Sequence, residues 1–317
     1  MEYTVVIRTL GKAGEKYQAC LDSIENQLIK PKKIIVYIAE GYPIPKETIG
    51  KEQYVYVKKG MIAQRALSYK EVNTAYILFL DDDVFLSPIA VKKMYQHLID
   101  RKADVISPDV FPNANRSFST KFKMAFIGKS IARKDDGRWA YKVLRNGGYS
   151  YNANPVNDVY ESQQNAGPCF FCKKNVFLKI HFEEESWMDD VPYALPDDQV
   201  MFYKMYLKGY KVLTLFHSGI EHLDAATTNR MTFQKEMSIL YSESRNKLIY
   251  WHRFIYLPEK NMFLRLWDCC CVLCFYLIRS LIMIVKFKAK ELKCWLRGMR
   301  DAVTYIQSDT YKALPLI

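Results

Sequence analysis

Two acidic clusters are the residues in this chain best equipped for chemistry. The first, Asp81-Asp82-Asp83, follows the apolar run YILFL (residues 76–80) without a break. Three adjacent carboxylates at the end of a buried run repel one another unless positive charge sits there. A hard divalent cation such as Mg²⁺ or Mn²⁺ supplies it, because these ions prefer carboxylate oxygen and substrate phosphate. A solvated acidic turn is the plainer alternative. The second cluster, Asp197-Asp198, follows Pro196 and opens a stretch with apolar residues at helical spacing. His217 and His222 lie just after another apolar run, residues 211–216. Imidazole is a common nitrogen ligand for metals, so His222 is a candidate ligand, against the alternative of a hydrogen-bonded structural histidine. The eight cysteines do not suggest a disulfide framework in a chain this long. Cys169-Phe-Phe-Cys172 has no second pair at zinc spacing, and Cys269, Cys270, Cys271 and Cys274 lie in an apolar run and read as small buried hydrophobes.

The elements that must position these residues alternate. Residues 4–9 (TVVIRT) read as a buried strand, with Gly11 and Gly14 marking the turn after it. Tyr17, Cys20, Leu21, Ile24 and Leu28 recur at helical spacing, and Pro31 stops that helix. Residues 34–38 and 54–57 are the next strands, a short helix is expected from Gly60 through Arg65 and Leu67, and residues 76–80 form a fourth strand. Pro88 opens another helix, with Val91, Tyr95 and Leu98 on one face. This β-α-β-α-β order predicts an α/β fold with a doubly wound, mainly parallel sheet and helices on both faces. Ligands in such folds bind beyond the carboxyl ends of the strands, which is where the three aspartates fall. Residues 111–165 lose the pattern and read as long loops over the sheet, suited to acceptor recognition. Regular structure returns with a strand at residues 169–173, a helix near 176–180, the helix from Asp197-Asp198 to Gly209, and a strand at 211–216.

Several of these segments, in order, resemble the family 2 glycosyltransferases. Ile77-Leu-Phe-Leu-Asp-Asp-Asp-Val84 is similar to their acidic Asp-x-Asp motif, and Val5-Val-Ile-Arg-Thr9 to their first strand. Cys20-Leu-x-Ser-Ile24, with Gln27 and Pro31, resembles the first helix and its exit. Gly60-Met-Ile-Ala-Gln-Arg-Ala66 resembles the segment before the acidic strand, and Asp197-Asp198 with Gly209-Tyr-Lys-Val212 resembles the Glu-Asp motif and the end of its helix. The resemblance covers roughly residues 3–225 and implies a GT-A-like fold, a nucleotide-diphosphate sugar as donor, and Mn²⁺ or Mg²⁺ as cofactor. It implies that Asp83 binds the metal, that Asp81 lies near the ribose or the metal, and that His222 completes the metal site. Asp198, or its neighbour Asp197, matches the catalytic base. Arg8, Thr9, Arg65 and Asp82 would line the nucleotide pocket, and Glu40 would meet the nucleobase. The sequence departs from the pattern in three places. Its second strand ends Ile-Ala-Glu-Gly rather than Asp-Asp-Gly, Gln64-Arg65-Ala66 replaces Ala-Arg-Asn, and Asp197 replaces Glu. The equipment suits inverting sugar transfer: one acidic cluster holds a cation that neutralises the leaving diphosphate, and a second takes the proton of the acceptor hydroxyl.

The +12 formal charge is concentrated late. From Arg230 onward there are 15 Lys/Arg and 7 Asp/Glu, a net of +8. Basic charge beside apolar sequence points to an anionic membrane surface rather than to nucleic acid, for which no zinc, helix-turn-helix or RNA-recognition signature is present. The uninterrupted apolar run at residues 269–278 is shorter than the ~20 residues a bilayer requires. Leu292, Trp295, Leu296, Met299 and Val303 share a helical face with lysines and arginines around it, the pattern of an interfacial helix; a helical pair packed on the catalytic domain, or a dimer interface, is the alternative. The sequence therefore predicts a catalytic domain at residues 1–225 and a membrane-associating helical tail at 226–317. The N-terminus lacks a basic segment followed by an apolar one, so no signal peptide is expected and the protein is placed at the cytoplasmic face of the cell membrane, peripheral or monotopic. A glycan or lipid-linked acceptor fits that placement. The competing functions are a sugar-phosphate nucleotidyltransferase, for which Gly11-Lys-Ala-Gly14 is a weak phosphate loop, and a non-catalytic membrane-bound scaffold.

Overall fold

The computed structural model describes residues 1–111, 117–223 and 232–317. The predicted boundary between residues 225 and 226 lies outside them. The first strands form as expected: β1 (Tyr3–Thr9), β2 (Lys33–Ala39), β3 (Glu52–Val57) and β4 (Tyr76–Asp81) are parallel in the order β3-β2-β1-β4. The chain winds outward from β1 to β3 and then returns to the other side of β1. The reversal leaves a crevice at the carboxyl ends of β1 and β4. Alternate residues of each strand face opposite sides. Val6, Ile35, Ile77 and Phe79 enter one buried apolar cluster, and Val5, Ile7, Val36, Leu78 and Leu80 enter another with α1 (Glu15–Glu25) and α2 (Ala90–Asp100).

Beyond β4 the sheet continues with strands added out of chain order. In chain order these are β5 (Val84–Leu86), β6 (Val105–Pro108), β7 (Ser130–Arg133), β8 (Trp139–Val143), β9 (Tyr149–Asn152), β10 (Val159–Ser162), β11 (Cys169–Lys173), β12 (Val212–Leu215) and β13 (Ile220–His222). The eleven-stranded sheet has the order β3-β2-β1-β4-β11-β6-β12-β10-β8-β9-β7, while β5 and β13 form a separate antiparallel pair. The result is a mixed, mainly parallel GT-A-like α/β sheet flanked by helices.

Two local expectations are corrected. Residues 111–165 are not only loops: α3 (Phe118–Ile127) and β7 to β10 build the far edge of the sheet. These strands are four or five residues long and rich in Tyr and Ser, too short for a hydrophobic alternation to register. Their tyrosines nevertheless favour extended structure, and the Tyr141, Tyr149 and Tyr151 rings pack together. Residues 60–67 make consecutive turns rather than a helix. The Asp189 carboxylate accepts from the Ile62 and Ala63 amides and fixes that turn.

The C-terminal helices are α6 (Phe233–Trp251), followed by a π-helical turn at His252–Tyr256, then α7 (Met262–Val285), α8 (Ala289–Gln307) and α9 (Asp309–Lys312). Their buried side chains, among them Tyr250, Phe254, Phe275 and Trp295, belong to the same apolar cluster as Val6 and Phe79 of the sheet. The apolar face expected to meet a membrane on α8 is largely spent on α6: Trp295 and Ala302 are fully buried, Leu292 and Met299 partly, and Leu296 and Val303 remain about half exposed. Gly298 allows the close approach, since a Cβ there would lie 2.8 Å from the Ser244 Cβ.

An ionic hub ties this layer to the site. Glu185 is fully buried in the 3₁₀ segment Phe182–Asp190. It accepts from Lys204 (2.7 Å), from Arg253 (2.9 and 3.1 Å) and from the Trp187 indole (2.8 Å). Lys204 lies on α5 (Asp197–Leu207), which follows the short α4 (Lys174–Lys179), and Arg253 also donates to the Pro315 carbonyl near the C-terminus. Burial alone would raise the Glu185 pKa, but the two cations hold it below the usual carboxylate range. Its stabilising effect is therefore full above the unfolded carboxylate pKa of about 4.3 and is lost as pH falls through the lower folded value. Glu185→Gln should cost roughly 3 kcal/mol at neutral pH by urea unfolding, because it leaves buried cations unpaired. The acid limb of stability below about pH 4 should be flatter in the variant than in the wild type.

Candidate active site

The strand register assembles the site. In the β1–β4 pairing Arg8 stands directly beside Asp81. Its guanidinium donates to both carboxylate oxygens, at 2.6 and 3.2 Å. Burial works against the Arg8 charge, but Asp81 first, then Asp197 and Asp198, raise its pKa above the ordinary value. Arg8 thus lies in the field of both acidic clusters. Thr9 donates its hydroxyl to Asp82 and accepts from the Gly11 amide at 2.8 Å. Burial pushes the Asp82 pKa up to about 6; Thr9 opposes this and the flanking Asp81 and Asp83 add to it.

After Asp83 the chain enters β5, whose pairing with β13 sets His222 against Val84. His222 Nε2 then lies 3.3 Å from Asp83 Oδ1, and the His222 ring packs edge-on to Phe111. Asp83 and His222 line a cleft of about 540 Å³ with Arg8, Thr9, Asp81, Asp82, Lys12, Lys59, Gln64, Asp189 and Tyr193. Asp83 and His222 offer one oxygen and one nitrogen side by side to the same cleft. That pair would suit a hard divalent cation. Asp81, also expected as a ligand, already gives both oxygens to Arg8. Among the described residues no group of three or more His, Cys, Asp or Glu side chains gathers about one point.

The second cluster sits at the start of α5. Arg65, nearly fully buried, lies 3.1 Å from Asp197 and 2.6 Å from Asp198. The other oxygen of Asp198 accepts from the Gly167 amide at 2.9 Å. Gly167 immediately precedes Pro168, whose carbonyl accepts from the Asp81 amide, so the two clusters share a wall. The pair divides by environment. Burial, and then the adjacent Asp198, drive the Asp197 pKa upward. Burial also opposes ionisation of Asp198, but Arg65 and Arg8 outweigh it and hold its pKa low. Asp198 is also the more open of the two, with its side chain a third exposed.

Of the site residues expected from sequence, Arg8, Thr9, Asp81, Asp82, Asp83 and His222 meet at the cleft, and Arg65, Asp197 and Asp198 meet behind it. Glu40 is exposed after β2 and does not line the cleft; His217 is exposed beside Asp158. Sequence reasoning missed Asp189, Gly167 and the two lysines, Lys12 and Lys59, whose ammonium groups flank the Tyr42 ring. Lys58-Lys59 before Gly60 was a visible signal for one of them. Nothing local marks Gly167.

Residues 53–177 match the family model described as glycosyl transferase family 2. Over that segment the chain is similar to the family 2 glycosyltransferases, and the segment lies within a GT-A-like fold. Among solved structures it is similar to residues 1–349 of TarS from S. aureus, in complex with UDP-GlcNAc, at a TM-score of 0.53 and 12% identity, covering 99% of this chain and 82% of that one. That likeness concerns the fold. No curated protein matches the chain.

A methyl group on Gly167 would lie 1.9 Å from Asp198 Oδ1 and 2.8 Å from Arg65 Nη2. Gly167→Ala should therefore displace Asp198 and cut any transfer activity by about 10²-fold, the loss that follows when a group at a reacting centre is shifted by about 1 Å. Urea unfolding checks that the variant stays folded, and activity equal to wild type contradicts the placement.

Proposed function

We propose that the protein is an inverting hexosyltransferase that moves a sugar from a nucleoside-diphosphate donor to a hydroxyl of a glycan or lipid-linked acceptor, with a divalent cation and an aspartate base, on a catalytic unit within residues 1–225. The observation that carries this reading is the placement of two differently tuned carboxylate clusters, one in the strand-end crevice and one just behind it, with Arg8 in the field of both. Asp83 and His222 are the residues that would hold the cation. When bound there, Mn²⁺ or Mg²⁺ supplies Lewis acidity to the departing diphosphate. Lys12 and Lys59 add positive charge on the same cleft. Arg8 clamps the Asp81 carboxylate through two hydrogen bonds, and Thr9 orients the carboxylate of Asp82.

Asp198 is the base. It is ionised, partly open, and aimed by the Gly167 amide and Arg65. Asp197 is buried and biased toward its protonated form, which suits a supporting role. Asp198 takes the acceptor proton as the hydroxyl attacks the anomeric carbon from the side opposite the leaving diphosphate, and configuration inverts. The family match favours this reading over a nucleotidyltransferase or a scaffold.

Transfer should be assayed over a panel of nucleotide sugars with Mn²⁺ present. Asp198→Asn should lose about 10²–10⁴-fold in turnover while still binding donor. NMR of the product should show the anomeric configuration inverted. A retained configuration, or a variant with full turnover, would contradict the assignment.

A further inference from the structure

We infer that α3 and α7 together form an in-plane docking face for an anionic lipid bilayer. The face begins with a mismatch on α7. Its 24 residues are apolar and long enough to cross a membrane, but one side is locked into the protein. Asp268, Val272, Phe275, Tyr276 and Met283 are buried, and the Tyr276 hydroxyl donates to the Ser244 carbonyl at 2.7 Å. A spanning helix would have to leave those contacts.

Every charged residue of α7 is turned to that inner side. Arg265 donates to the Leu257 and Glu259 carbonyls, Asp268 pairs with Arg145, and Arg279 pairs with Glu243. The outward side carries no charge over the whole helix, roughly 36 Å at 1.5 Å per residue. It exposes Phe263, Trp267, Leu273, Leu277, Leu281 and Ile284, each more than half open. With the exposed Cys270 and Cys274 between them, steps of three and four residues put them on one stripe.

Helix α3 extends this surface. None of its residues is buried, and Phe118, Phe122 and Phe126 are exposed, the last two stacked on each other. Between α3 and α7 runs an apolar groove of about 400 Å³, floored by Phe275 and walled by Phe126 and Trp267. Its third wall is the 144–146 turn. The next residue, Gly147, is held by Gln199, the neighbour of Asp198 in sequence.

Charge selects the occupant. Residues 117–136 contain five Lys/Arg against Asp135 and Asp136; Lys129 and Arg133 are paired with Glu243 and Asp136, so Lys121, Lys123 and Lys134 carry the basic excess. Lys286, Lys288, Lys290 and Lys293 follow α7, with Glu291 the one acid among them and paired to Lys288. Aromatic side chains bordered by lysines on a surface helix match the chemistry of an anionic headgroup layer, with rings entering the acyl boundary and ammonium groups meeting phosphate. The occupant is therefore an anionic bilayer surface rather than a second copy of this chain, whose equally basic face would repel.

The test is flotation of the full-length protein with phosphatidylcholine vesicles, with and without phosphatidylglycerol, in the absence of donor. Binding should require phosphatidylglycerol and fall with salt. Phe122→Ser with Phe126→Ser should weaken it roughly tenfold or more, and because both rings are exposed the fold should persist by circular dichroism. Trp267 emission should shift to the blue on binding, and the shift should vanish in Trp267→Phe. No flotation, flotation indifferent to these variants, or quenching of Trp267 chiefly by lipids brominated near the bilayer centre overturns the proposal. So does a dimer that dissociates in the same variants without vesicle binding. None of these outcomes depends on donor turnover, so failure here leaves the catalytic reading to its own test.

Discussion

Carboxylates crowd one edge of this sheet, and the structure is organised around keeping them there. Asp81, Asp82, Asp83, Asp189, Asp197 and Asp198 all lie at or just behind the crevice where β1 and β4 part. Two nearly buried guanidinium groups, on Arg8 and Arg65, make that tolerable. Removing either would strand buried negative charge, which costs more than the pair contributes when intact. The arginines also differentiate the acids. Asp81 is clamped, Asp198 is kept ionised, and Asp197 and Asp82 are shifted toward protonation by burial and by their neighbours. Groups of one chemical type thereby acquire different capacities, which is what the proposed acid–base and metal chemistry needs.

This arrangement depends on parts of the chain distant in sequence. Register in the β1–β4 pairing sets Arg8 beside Asp81, and the small β5–β13 ladder sets His222 beside Asp83. Asp189 reaches the crevice from the 3₁₀ segment that Glu185 anchors, and the partners of Glu185 lie on α5 and at the end of α6. The C-terminal helices therefore contribute to the rigidity of the site. They bury one side against the sheet's core cluster and leave the other open, which gives α7 a structural face and an unpartnered one.

Much of this was legible in the sequence because it is encoded locally. β1, β2 and β4 are short β-branched or apolar runs buried on both faces, and Asp81-Asp82-Asp83 marks the strand end by itself. The paired motifs, in order, carried the resemblance to family 2 glycosyltransferases and with it the expected fold. What was not legible depends on contacts made at long range. The strands within 130–162 carry too little hydrophobic alternation to be told from loops. Gly167 matters only because Asp198 packs on it, and Asp189 only because its carboxylate caps the turn at residue 62. The apolar stripe of α8 was visible, but the sequence could not say that α6 would cover it and that α7, with α3, would carry the open face.

The central claim is that Asp83 and His222 complete a cation site for a donor diphosphate in a crevice otherwise neutralised by its own arginines. Calorimetric titration of a nucleoside diphosphate into the protein, with and without Mn²⁺, tests it most directly when Asp83→Asn is run beside the wild type. The account predicts that wild type binds the diphosphate at least about tenfold more tightly with Mn²⁺, and that Asp83→Asn abolishes this gain without unfolding the protein. Binding that is equally tight with and without the metal, or a metal effect that survives in Asp83→Asn, would contradict it.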